Sequence, residues 1–263
     1  MRGFANFALR KRLKVFSSRV WLWRHAFCDI CRPMPSFEEA KKLLVPIEVY
    51  SDTLCPWCWV EKHSLQAAVQ DFEKQHPEVE FEIIWRSFCL NPLLKTKCDK
   101  FALYDEWSGG PGKFQQHLDR VGAAGSKYGL RLSVTGLTGP SRSSQILIAN
   151  VLRRSGPAAQ ALVVEALFQS HFTLGEDISD QDFLVSLGSE ITGQPADTIR
   201  SELENPENGR FVDYEVDEAA ASKGVEAVPC VTVLSKYKVG GFQEQHVFEQ
   251  LFERIWAESF MSE

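Results

Sequence analysis

Between Pro46 and Phe88 the apolar positions change period twice, and the change outlines a strand, a helix and a second strand. Pro46-Ile47-Glu48-Val49-Tyr50 is short and half apolar, which predicts a strand from about Ile47 to Ser51. Glu61-Lys62-His63-Ser64-Leu65-Gln66-Ala67-Ala68-Val69-Gln70 carries its apolar residues at helical spacing. That helix should start at Cys55–Pro56 and end near Gln75-His76-Pro77, because proline disfavours helix in the residue before it. Val79, Phe81, Ile83 and Trp85 then alternate with Glu80, Glu82, Ile84 and Arg86, a period of two. A strand–helix–strand unit of this length implies a parallel pair with a right-handed crossover.

From about Cys89 to Gly224 the spacing is helical. Phe114, Leu118, Val121 and Tyr128 share one face, with Gly129 as a stop. Ile146, Leu147, Val151 and Leu152 mark a second helix ended by Gly156, and Pro157 opens a third. Ser179 with Asp182 predicts a cap, Pro195 opens a short helix, and Phe211 to Lys223 forms the last before Gly224. Ser108-Gly109-Gly110-Pro111-Gly112 reads as a flexible loop. Cys230 to Leu234 and Tyr237 to Phe242 then form a hairpin about Ser235-Lys236, and Val247, Phe248, Leu251, Phe252, Ile255 and Trp256 an amphipathic closing helix. The expected class is α/β, with residues 45–88 and 225–263 in one domain and 89–224 a large all-helical insertion. Residues 1–44 are a basic extension whose Ser36-Phe37-Glu38-Glu39 capping box predicts a short helix over 37–43.

With 44% hydrophobic and 24% charged residues the chain is ordinary for a soluble protein, and no apolar run approaches membrane-spanning length. The net charge of −6 is unevenly spread: residues 1–33 hold eight Lys/Arg against one Asp, leaving −13 for the rest. An acidic body argues against nucleic acid as a partner. The basic, acid-poor start resembles a mitochondrial transit segment, with a disordered tail as the plainer reading. Seven cysteines at this length fit a mostly reduced, cytoplasmic protein with one reactive pair.

That pair is Cys55-Pro56-Trp57-Cys58, two thiols at a strand-to-helix junction. Unsatisfied amides and the helix dipole favour a thiolate at a helix start, so Cys55 is the expected nucleophile. Cys58, one turn in, would resolve the mixed disulfide. Pro56 and Trp57 tune the helix start, and Trp57 is a candidate substrate contact. Val228-Pro229, leading into the hairpin, stands where a cis X-Pro would face the dithiol.

These features resemble the DsbA-like thioredoxin-fold family, and within it the FrnE-type branch. The likeness spans about residues 45–258. It rests on Cys55-Pro56-Trp57-Cys58 after Ser51-Asp52, the helical insertion, Val228-Pro229 and Gly240-Gly241-Phe242. Trp85-Arg86-Ser87-Phe88 running into Leu90-Asn91-Pro92, and Leu167-Phe168 running on to Phe172, add to it. The resemblance implies a thioredoxin fold, dithiol–disulfide oxidoreductase activity on thiol- or disulfide-containing substrates, and Pro229 as the cis-proline shaping the substrate groove with Val228. It implies no bound cofactor, only a redox partner such as glutathione or another dithiol protein. Cys230 departs from the branch, which more often has a bulky apolar residue after the proline.

Other readings stand beside this one. Cys28-Asp29-Ile30-Cys31 is a second Cys-x-x-Cys, and four thiolates could bind zinc. Relatives of this fold with serine in place of the first cysteine act as isomerases or glutathione-using transferases, and a redox-sensing module is a third possibility. Cys230 could relay to the dithiol or be a small buried hydrophobe. Glu61-Lys62 reads as a solvated face and His63 as an exposed helical residue.

Overall fold

The computed structural model describes residues 42–260. Strand β1 (Leu43–Ser51) leads through helix α1 (Pro56–Gln75) to β2 (Val79–Ser87). The insertion follows: β3 (Cys98–Asp99), α2 (Lys100–Trp107), α3 (Lys113–Ser126), β4 (Leu137–Thr138) and α4 (Arg142–Gln169), then a π-helical turn over Ser170–Leu174. It continues with α5 (Gln181–Thr192), α6 (Ala196–Glu204) and α7 (Pro206–Ala221). The chain returns through β5 (Cys230–Val233) and β6 (Tyr237–Gly240) to α8 (Gln245–Phe260).

The four long strands form one sheet in the order β2-β1-β5-β6. β1 runs parallel to β2, with Val49 opposite Trp85, and antiparallel to β5, with Tyr50 opposite Cys230. Alternation along β1 sends Val45, Ile47 and Val49 into the main core and Tyr50 to the other face. On the first face Phe72 of α1, Phe81 of β2 and Phe252 of α8 meet with ring centroids 4.4–5.8 Å apart.

The insertion docks on the sheet's open edge. β2 is an edge strand, and an unpaired edge exposes backbone donors and acceptors. Gln160 of α4, fully buried, answers two of them: Trp85 N–H donates to its Oε1 and its Nε2 donates to Trp85 O, both 2.9 Å. Glu215 of α7 accepts from the Ser87 hydroxyl at 2.7 Å and pairs with Arg86, which also holds Glu48.

Several sequence expectations shift. β1 begins at Leu43, four residues early, so it overlaps the end of the helix expected over 37–43; the rest of that helix and its capping box lie outside the described residues. The insertion is helical apart from the two-residue ribbon β3–β4. Asp180, not Ser179, caps α5 by accepting from Phe183 N–H at 3.0 Å, while Ser179 is tied to Asp177. α7 starts at Pro206 rather than Phe211, because Asn205 caps it and proline suits the first helical position. The expected break at Gly156 before Pro157 is present, where Gly156 leaves helical geometry at φ 79° within α4. No helix among the described residues is long and apolar enough to cross a membrane.

Candidate active site

The turn Ser51–Leu54 delivers Cys55 to the start of α1, and every residue of that turn is buried. Asp52 holds it from within. Its Oδ1 accepts from Leu54 N–H at 2.9 Å and its Oδ2 from Leu90 N–H at 2.6 Å, joining the turn to the segment after β2. Burial raises the Asp52 pKa, and the two backbone hydrogen bonds oppose that rise. The insertion grips the same turn from outside. Thr53 Oγ1 lies 2.8 Å from Ser144 Oγ, Gln145 Nε2 donates to Ser51 O at 3.0 Å, and the Tyr104 hydroxyl donates to Leu54 O at 2.6 Å. Tyr104 also lies 3.2 Å from His171 Nε2, and burial drives the His171 pKa well down, so that ring is neutral.

Asp52→Asn is expected to destabilise the fold by about 1–3 kcal/mol, since the amide offers one acceptor where two amides need one each. A lowered denaturant midpoint at constant slope is the expected reading. An unchanged midpoint would count against the buried bridge.

Cys55 is the N-cap of α1, without a side-chain cap bond and with no acid in the helix's first turn. It is 4% exposed and lines a cavity of about 460 Å³, its Sγ 3.7 Å from Val228 O. The Val228–Pro229 peptide bond is cis. Cys58 is wholly buried, 0% exposed. Burial, reinforced by the adjacent Cys55, pushes its pKa well above the usual thiol range. Both thiols are free in this structure. The dithiol therefore has one sulfur facing the cavity and one behind it.

Trp57 has more packing than its position between the cysteines suggests. It stacks on Phe242 with centroids 5.1 Å apart, and its Nε1 donates to His117 Nε2 at 3.1 Å. It thereby bridges α1, the end of the hairpin and α3. Burial, with Arg120 adding to it, lowers the His117 pKa. Pro56, Trp57 and Val228 line the cavity together with Tyr104, Trp107, Lys113, Phe114, His117 and Arg120 of the insertion. None of these insertion side chains stood out in sequence as a site residue. The one available signal was the spacing of Lys113, His117 and Arg120, which puts them on one helix face.

Two expectations about α1 are overturned. Glu61 and Lys62 are buried rather than solvated, and His63 is half-buried. Lys62 Nζ pairs with Glu165 Oε2 of α4 at 2.7 Å, while His63 and Trp59 Nε1 share Glu165 Oε1 at 3.1 and 3.0 Å. Burial works against the Glu165 carboxylate, but the His63 hydrogen bond and the Lys62 charge outweigh it and bring its pKa down to about 2. This knot fastens α1 to the insertion.

Cys230 packs with Tyr50, Ala219 and Val225, in a cluster separate from the core that holds Cys55 and Cys58. A relay from it to the dithiol has no support in this packing. Among the described residues no group of three or more His, Cys, Asp or Glu is arranged to hold a metal ion; Cys28 and Cys31 lie outside those residues.

Comparison with known proteins agrees with this fold. No curated protein matches the chain by sequence. A probable DsbA oxidoreductase from Streptomyces coelicolor has a similar structure, with TM-score 0.69 and 25% identity over 81% of this chain and 91% of that one. A 2-hydroxychromene-2-carboxylate isomerase shares the fold at TM-score 0.60 and 17% identity, covering 83% of this chain and 99% of that one. So does a cytosolic disulfide reductase, DsbM from Pseudomonas aeruginosa with GSH, at TM-score 0.54 and 13% identity, covering 83% and 100%. The DSBA-like thioredoxin domain matches residues 46–253, most of the chain, and the chain belongs to that family.

Proposed function

We propose that the chain is a thiol–disulfide oxidoreductase of the FrnE type. In this reading residues 45–88 and 225–263 form the redox module and residues 89–224 the insertion that selects its substrate. Cys55 attacks a substrate disulfide and Cys58 resolves the mixed disulfide. One observation carries the reading: the N-cap thiol faces an open cavity while its partner, one turn deeper, is fully buried. That asymmetry supports this division of roles, since attack needs access and resolution needs only the neighbouring sulfur. The fold is also shared with an isomerase, but an isomerase reading leaves the second cysteine without work. A cytoplasmic setting suits the sparse cysteines, and glutathione, which accompanies DsbM in its structure, is a reasonable redox partner.

The test is a single turnover with hydroxyethyl disulfide. Reduced protein should consume one equivalent and release both halves as thiols, at a rate at least about a hundredfold above free cysteine at the same pH. A rate no faster than free cysteine would sink the reading.

A further inference from the structure

The cavity beside Cys55 carries a charge opposite to that of the acidic body of the chain. Residues 34–263 hold a net −13, yet the cations Lys113 and Arg120 line the cavity, with His117 between them accepting from Trp57 Nε1–H, and no carboxylate does. The three occupy positions i, i+4 and i+7 of α3 and so form a stripe along one helix face. Lys113 and Arg120 are exposed, and neither pairs with a carboxylate among the described residues. Arg120 Nη2 instead lies 3.4 Å from His117 Nδ1. The acids near this helix face other work: Asp105 accepts from the Gly112 and Phe114 amides at its start, and Asp119 accepts from Gln115. An unneutralised basic stripe beside a nucleophile, in an acidic protein, is a site for an anion. Leu90, Trp107 and Phe114 supply an apolar wall, and about 460 Å³ is the scale of a small-molecule pocket.

We propose that the site takes low-molecular-weight disulfides whose organic groups carry a carboxylate, with that carboxylate on the Lys113/His117/Arg120 face while Cys55 attacks the adjacent sulfur. This rests on the reading of Cys55 and Cys58 as an exchange dithiol. The Cys55 thiolate attacks one sulfur of R–S–S–R, forming Cys55–S–S–R and expelling R–S⁻. Cys58 then attacks Cys55 Sγ, giving up its proton as the protein disulfide closes and the second R–S⁻ is expelled. Two electrons pass from the dithiol to the substrate, and the two thiol protons end on the two R–SH products. The basic stripe draws the anion in and also favours the departing thiolate, which is negative at the moment it leaves.

Three small disulfides of similar length test this: dithiodipropionate (anionic), hydroxyethyl disulfide (neutral) and cystamine (cationic). The rate constant for oxidation of the reduced protein by each is divided by that for free dithiothreitol, which removes intrinsic reactivity. The anionic probe should lead the neutral one by about tenfold, with the cationic probe slowest. The lead should shrink as salt rises past physiological strength. In Lys113→Gln/Arg120→Gln the anionic-to-neutral ratio should fall towards unity, and in Lys113→Glu/Arg120→Glu it should invert. Equal normalised rates for the three probes in the wild type, or a ratio that the variants leave intact, would overturn the anion site and leave the dithiol reading standing. Failure of all three probes to react would overturn both.

Discussion

Cys55→Ser is expected to lower thiol exchange by about a thousandfold or more, because a hydroxyl at that position is neither ionised near neutral pH nor a comparable nucleophile. Cys58→Ser should behave differently. The cavity-facing thiol is intact, so the first attack proceeds, but nothing within reach can displace the bound half-substrate. The variant should therefore accumulate one adduct per chain, and intact-mass analysis with peptide mapping should place it on Cys55. The contrast follows from burial: Cys58 is 0% exposed, and burial, the larger cause of its raised pKa, remains when Cys55 is lost, so it cannot take the lead role. Cys89 and Cys98 are half-buried, and burial raises both of their pKa values, so they form a slow background that mapping separates. A Cys55→Ser protein that keeps its rate would refute the assignment, as would a Cys58→Ser protein modified elsewhere first.

The sequence conveyed the redox half of this site and left its insertion half hidden, for a physical reason. The dithiol, its helix and Val228-Pro229 are local patterns, in which a few consecutive residues determine turn, helix start and chemistry. α1, β2 and the hairpin fall close to where hydrophobic period puts them, and β1 runs four residues further towards its start than its pattern shows. What the insertion contributes is set by contacts far apart in sequence. Tyr104 reaches Leu54 O, Gln145 reaches Ser51 O, and Gln160 satisfies the edge of β2, each a polar side chain whose partner lies 50 to 94 residues away in sequence. Nothing in the spacing of Gln160 announces that it replaces a missing strand. Lys113, His117 and Arg120 look like any solvated stripe until α3 is seen lying beside Cys55. Glu61 and Lys62 misled in the opposite direction, since a charged pair on a helix is exposed in most proteins. Here Lys62 pairs with Glu165 of α4, Glu61 accepts from Gln243 N–H just before α8, and both are buried.

Glu61 gives the fold a pH dependence with a definite sign. It is fully buried, its Oε2 accepts from Gln243 N–H at 2.9 Å, and its Oε1 has no partner. Burial raises its pKa to about 8, against which the Gln243 bond is a smaller effect. Below about pH 4.5 the acid is neutral whether the chain is folded or not, and it costs the fold nothing. As pH rises from there to about 8, the unfolded chain releases the proton while the folded one retains it, so stability falls. At about 1.4 kcal/mol per pH unit the loss from this residue reaches up to about 5 kcal/mol, and above the folded pKa it stays constant. Glu61→Gln preserves an acceptor for Gln243 N–H and has no proton to lose. The variant should match the wild type near pH 4.5 and be more stable by several kcal/mol at pH 8, with the difference opening steadily between. Denaturant unfolding of both proteins across that range measures it. A constant offset between the two curves would mean that Glu61 ionises in the folded protein as freely as in water, and the buried acid would not be the source of the slope.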